Sequence, residues 1–137
     1  MNTEKISELR RLAEIQREQD KLMVAELMKQ EHLDEDGYPT EAALVAIQLW
    51  DFQDCKGWFA FINSLWAHKS WGWCEGVEPD ERNVDKVNYQ YNISTAGWSG
   101  NESLIDAMEK NFIMWSTTWV QARRGGHFIF EDNEYGE

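Results

Sequence analysis

Residues with the means for chemistry gather at two places in the second half of the chain. Ser94-Thr95-Ala96-Gly97-Trp98-Ser99-Gly100-Asn101-Glu102 reads as a strand that passes through a glycine-flanked turn into a helix. The first N–H groups of such a helix lack intrahelical acceptors and can hold an anion. Arg123-Arg124-Gly125-Gly126-His127 sets two guanidinium groups and an imidazole on a tight turn. A guanidinium is a planar fork matched to carboxylate or phosphate. Brought together, Trp98, Ser99, Gly100, Asn101, Glu102, Arg123, Arg124 and His127 would form a small cationic, donor-rich site with a tryptophan wall.

None of these residues is assigned a catalytic role. A nucleophile elbow, G-x-S-x-G, needs glycine where Asn101 stands and a much longer fold. Ser99 followed by Glu102 has the spacing of a capping box, so closing the helix start is its simplest task. Glu102 there would oppose an anion at the same place. His127 has no serine, cysteine or carboxylate at a diagnostic spacing. On an alternating strand Arg123 and Arg124 face opposite sides, so only one enters a given site. Their competing role is an ion pair with an acid of the tail or of the preceding helix. P-loop, dinucleotide-binding and metalloprotease motifs are absent. Cys55 and Cys74 form no C-x-x-C and lack spaced histidines, so neither metal nor cofactor is expected.

The chain of 137 residues is long enough for one modest core, and its net charge is −12. Direct nucleic-acid binding is disfavoured, because neutralising phosphates needs a basic face. An acidic surface instead suits a basic protein partner. Asp34-Glu35-Asp36 and the tail from Glu131 to Glu137 are its densest stretches. Of eight tryptophans, most read as core and one or two as rim residues able to anchor a partner. No signal peptide or twenty-residue apolar run is present, which predicts a cytoplasmic protein with reduced thiols and no membrane segment.

Residues 3–33, free of Gly and Pro, read as one long helix. Ile6, Leu9, Leu12, Ala13 and Ile15 form one apolar stripe; Leu22, Met23, Leu27 and Met28 form another. Six polar residues, Gln16 to Lys21, separate them, so the helix packs at each end or serves as an arm that docks on a second copy. Asp36-Gly37-Tyr38-Pro39 marks a turn. Thr40 and Asp54 are placed to cap two further helices, and Lys69 to Arg82 reads as loop. Val84 to Ser94 alternates and predicts a strand. A helix follows from Ser99, carrying Leu104, Ile105 and Met108. Phe112 to Gln121 reads as a strand with a short helix as competitor, and the Gly-Gly turn leads into a last strand, Phe128 to Phe130. The expected class is α+β: N-terminal helices, one of them long, then a small antiparallel sheet with one helix packed on it. Its parts are an arm over 1–36, a body over 37–130 and an acidic tail over 131–137.

Several of these segments resemble a group of small uncharacterised phage and prophage proteins. They are Gly37-Tyr38-Pro39-Thr40-Glu41, Leu49-Trp50-Asp51, Ser64-Leu65-Trp66, Ser94 to Glu102, and Arg123-Arg124-Gly125-Gly126-His127-Phe128. The resemblance covers roughly residues 37–130 and implies an origin rather than an activity. The functional expectation is a non-enzymatic binding protein that contacts a host protein complex, such as a defence or nucleic-acid-processing assembly, through an acidic, tryptophan-rich surface. Two alternatives stand beside it. One is a site for a nucleotide or other anionic small molecule at Trp98, Arg124 and His127; the other is a structural homodimer built on residues 3–33.

Overall fold

The computed structural model describes residues 2–79 and 87–132. It is an α+β fold with a long N-terminal helix, further helices and a four-stranded antiparallel sheet. Helix α1 spans Thr3–Leu27, α2 Glu41–Leu49, α3 Cys55–Leu65 and α4 Lys69–Gly72. Strand β1 (Trp73–Pro79) and β2 (Val87–Ser94) follow, then α5 (Ser99–Lys110), α6 (Phe112–Thr118), β3 (Trp119–Arg123) and β4 (His127–Asp132). The strand order is β1-β2-β4-β3.

The caps expected for the second and third helices form. Thr40 Oγ1 accepts from the Ala43 N–H, and Asp54 accepts from the Gly57 N–H. Four other expectations change. The first helix ends at Leu27, where the Lys29 and Gln30 N–H groups turn to the carbonyls of Glu26 and Leu27; further on, Asp34 folds the segment by accepting the N–H groups of Asp36 and Tyr38. Lys69 to Pro79 is a helical turn plus a strand, because β1 pairs along its whole length with β2; Asp80 to Arg82 lie outside the described residues. Phe112–Thr118 is helical, capped by Asn111, whose side chain accepts from the Met114 N–H. Only from Trp119 does the chain extend, so local β-propensity lost to a cap and to burial of Met114. Finally, Glu131 and Asp132 belong to β4 rather than to a tail. Residues 84–86 of the expected strand and 133–137 of the tail also fall outside the described residues.

Alternation in the strands separates two faces. On the inner face Tyr91 pairs with Phe130 and Ile93 with Phe128. Phe59 of α3 stacks on Tyr91 with centroids 3.8 Å apart, and Trp115 of α6 meets Phe130 edge-on at 5.3 Å. Trp58, Phe59, Ile62, Ile93, Leu104, Met108 and Phe130 are the fully buried centre. Of the tryptophans, Trp58, Trp66 and Trp73 are buried and Trp50 and Trp115 pack at the core edge, while Trp71 and Trp119 are exposed. Trp58 is fully enclosed because its indole N–H has a carbonyl, that of Ile47, to donate to.

Candidate functional site

The two motif segments do meet, and the contact is made by backbone. Residues Thr95 to Trp98 form a turn closed by the Trp98 N–H on the Thr95 carbonyl, with Ala96 (φ 56°) and Gly97 (φ 74°) both left-handed. That is a type I′ turn, and it tolerates an alanine at a cost of about 1 kcal/mol. The Thr95 N–H donates to the Gly126 carbonyl at 3.0 Å, joining this turn to the β3–β4 hairpin. Gly126 (φ +76°) cannot be replaced without disturbance, since a Cβ there would lie 2.3 Å from Thr95 Oγ1. The Trp66 indole N–H donates to the Ser94 carbonyl at 3.0 Å.

Asn101 is the buried centre of this junction. Its Oδ1 accepts the Ala67 N–H at 2.9 Å, and its Nδ2 donates to the carbonyls of Ala67 (3.0 Å) and Thr95 (3.3 Å). One amide thus ties the end of α3 to the β2–α5 turn, and no accessible surface remains on it. Trp98 is the N-cap residue of α5 and makes no side-chain cap. Its ring lies tilted against Tyr38, centroids 4.9 Å apart, and covers Gly100, where a Cβ would fall 2.1 Å from the indole. The capping box does not form. The I′ turn delivers Trp98 in extended conformation, so the helix starts at Ser99 and Ser99 is a helical residue rather than its cap. The Ser99 hydroxyl instead donates to the Tyr38 hydroxyl at 3.3 Å. Glu102 is exposed in the first turn of α5. Thus Tyr38, Trp66, the Ser94 to Asn101 segment and Gly126, far apart in sequence, are joined in one cluster.

Arg123, Arg124 and His127 have a different setting. Arg123 pairs with His127 and His127 with Ser94, so these three lie in one row across β3, β4 and β2, on the face away from the helices. The next row on that face is Gln121, Ile129 and Asn92. Asn88 and Gln90 extend the face along β2, and Asn92 Nδ2 donates to Gln90 Oε1 at 2.9 Å. Ile129, buried at 6% exposure, lies outside the main core cluster. Arg123 and Arg124 are exposed, and the Arg123 Nε–H donates to Gln121 Oε1 at 3.3 Å. Neither makes an ion pair with an acid among the described residues. The alternation of Asn88, Gln90 and Asn92 was visible in sequence; their place beside Arg123 and His127 depends on the β2–β4 register.

Two cavities lie elsewhere. A groove of about 510 Å³ runs between α1 and the Trp50–Phe52 segment, with Ala13, Arg17, Phe52 and Ile113 among its walls. Arg17 grips Asp51 with two bonds, Nε–Oδ1 at 2.5 Å and Nη2–Oδ2 at 2.9 Å, and stacks over the Phe52 ring at 4.6 Å. Those bonds hold the Asp51 carboxyl below its ordinary range, against the desolvation that pushes it up, and a bond from the Gln53 N–H adds to the effect. The same pairing raises the Arg17 guanidinium. A second cavity of about 190 Å³ lies by Cys55, Thr118 and Asp132. None of the eight residues at the motif cluster lines either space. Sequence reasoning did not find the groove. Leu49-Trp50-Asp51 was its one visible mark, and its partner Arg17 stands 34 positions away.

No protein-family model, curated protein or solved structure matches this chain. No helix among the described residues is long and apolar enough to cross a membrane.

Proposed function

We propose that this chain is a non-enzymatic binding protein that contacts another protein through the outer sheet face at its motif end. The row Arg123–His127–Ser94, backed by Gln121, Ile129 and Asn92, carries this reading. It is a row of hydrogen-bonding groups, anchored at its end where the Asn101 junction holds Thr95 and Thr95 bonds Gly126. Flat surfaces of this kind suit a macromolecule better than a small ligand, which is usually enclosed in a concave site. Nucleic acid fits poorly. Apart from the His127 imidazole, the outward positions of β1, β2 and β4 bear no aromatic ring on which a base could stack, and the chain has a charge of −12. The guanidinium groups of Arg123 and Arg124 fit carboxylates on that partner's surface. On the phage resemblance the partner is a host protein complex.

A nucleotide site at Trp98, Arg124 and His127 is supported less well, because the Trp98 face is occupied by Tyr38 and Gly100 and neither cavity reaches these residues. The test is affinity purification from a bacterial host with the wild-type chain and the double variant Arg123→Glu/Arg124→Glu. A stoichiometric complex retained by the first and lost by the second, at unchanged melting temperature, supports the reading. Equal retention by both overturns it. Stabilisation of the free chain by a nucleotide panel would move the function to the small-ligand class.

A further inference from the structure

Helix α1 meets the body only through its second half. Arg17 bonds Asp51, and Val24 and Leu27 pack on the core, whereas residues 3–16 are all exposed. Ile6 and Ala13 precede Val24 by 18 and 11 positions and Arg17 by 11 and 4, so at 100° per residue all four share one face. The stripe that seats the helix therefore continues past the body through Ile6, Leu9 and Ala13 with no described residues to cover it. Ile6 is 37% and Leu9 50% exposed. Where the helix leaves the body the groove opens, and its far wall presents Phe52 (41% exposed) and Ile113 (52% exposed).

We propose that the occupant of this groove is a second copy of the same chain. The projecting turns of each α1 lie in the groove of the other, about a two-fold axis. Charge selects this occupant. From Thr3 to Lys21 five Lys/Arg face five Asp/Glu with the signs interleaved, so the entire charge of −12 belongs to the rest of the chain. Two such bodies repel at close range, and the arm is the surface through which they can approach. Interleaved signs also let an antiparallel copy set carboxylates opposite guanidinium groups; Arg10, on the groove wall, makes no ion pair among the described residues. Both apolar surfaces in need of cover are on one chain, so a single isologous contact closes both at once.

Sedimentation velocity of the full chain across a concentration series tests this, because dimer formation follows mass action. The expected mass rises from 16.1 kDa toward twice that value. Ile6→Asp and Ile113→Asp change exposed residues on the two opposite halves of the contact. Each should weaken association by about tenfold or more, with an unchanged melting curve at the lowest concentration. A single mass of 16.1 kDa throughout overturns the proposal, as does dimerisation unaffected by either variant. Loss with Ile6→Asp alone would also overturn it, since the groove would then not be the receptor.

Discussion

Replacing Asn101 by alanine tests whether the motif cluster is a scaffold. The change removes three hydrogen bonds at once. The Thr95 carbonyl keeps the Trp98 N–H as a donor, but the N–H and C=O of Ala67 lose their partner in a partly buried setting. An orphaned buried polar group costs roughly 1–3 kcal/mol. Two of them, discounted for partial access to water, give a loss of about 2–4 kcal/mol. Against a typical total of about 5–15 kcal/mol this is large. In a urea titration with a slope of about 2 kcal/mol/M, the midpoint should fall by about 1–2 M with the slope unchanged. Asn101→Asp sharpens the assay. Its carboxylate would face two carbonyl oxygens, so its folded pKa should rise, and the variant should weaken as the pH rises through that value and recover in acid. Ser99→Ala, which removes one exposed bond, should change stability by less than about 0.5 kcal/mol. A loss below about 1 kcal/mol for Asn101→Ala would refute the scaffold argument.

Gly126→Ala should destabilise by clearly more than Gly125→Ala: both have positive φ, but only at Gly126 does the added Cβ run into Thr95, and paired thermal melts measure the difference. Ala96→Gly relieves a left-handed alanine and should leave stability equal or higher by up to about 1 kcal/mol. Asp51 titrates below its unfolded value of about 4, so its contribution is complete above that pH and is lost as the pH falls through the folded value. The gap in melting temperature between wild type and Asp51→Asn should therefore narrow from pH 7 to pH 3, and a gap independent of pH would remove Arg17–Asp51 as its source.

What could be read from sequence follows the range of the interactions. The Thr40 and Asp54 caps depend on residues three positions apart and were visible. The alternation of β2 was visible because one of its faces is core. The expectation of a capping box at Ser99 failed because a left-handed alanine at position 96 closes a turn that shifts the helix start, and alanine gives no sign of such a turn. Phe112–Thr118 carries aromatic and β-branched residues that suit a strand. Asn111 decides otherwise by anchoring both the new helix and, through its amide, the carbonyls of Ile47 and Trp50. At the candidate site the residue types were legible and their grouping was not. Trp98 and Asn101 looked like partners of Arg124 but serve Tyr38 and Ala67, contacts 60 and 34 positions away. Arg123 and His127 gained Asn92 and Gln121 as neighbours only through strand register.

Hydrogen exchange of the chain bound to its co-purified partner tests the binding face most directly. The expected result is slowed exchange in residues 119–132 and 87–94, with the arm over 3–16 unchanged by the partner. Slowing confined to the arm, or to the Trp50–Phe52 groove, with the sheet peptides unaffected, would contradict the account.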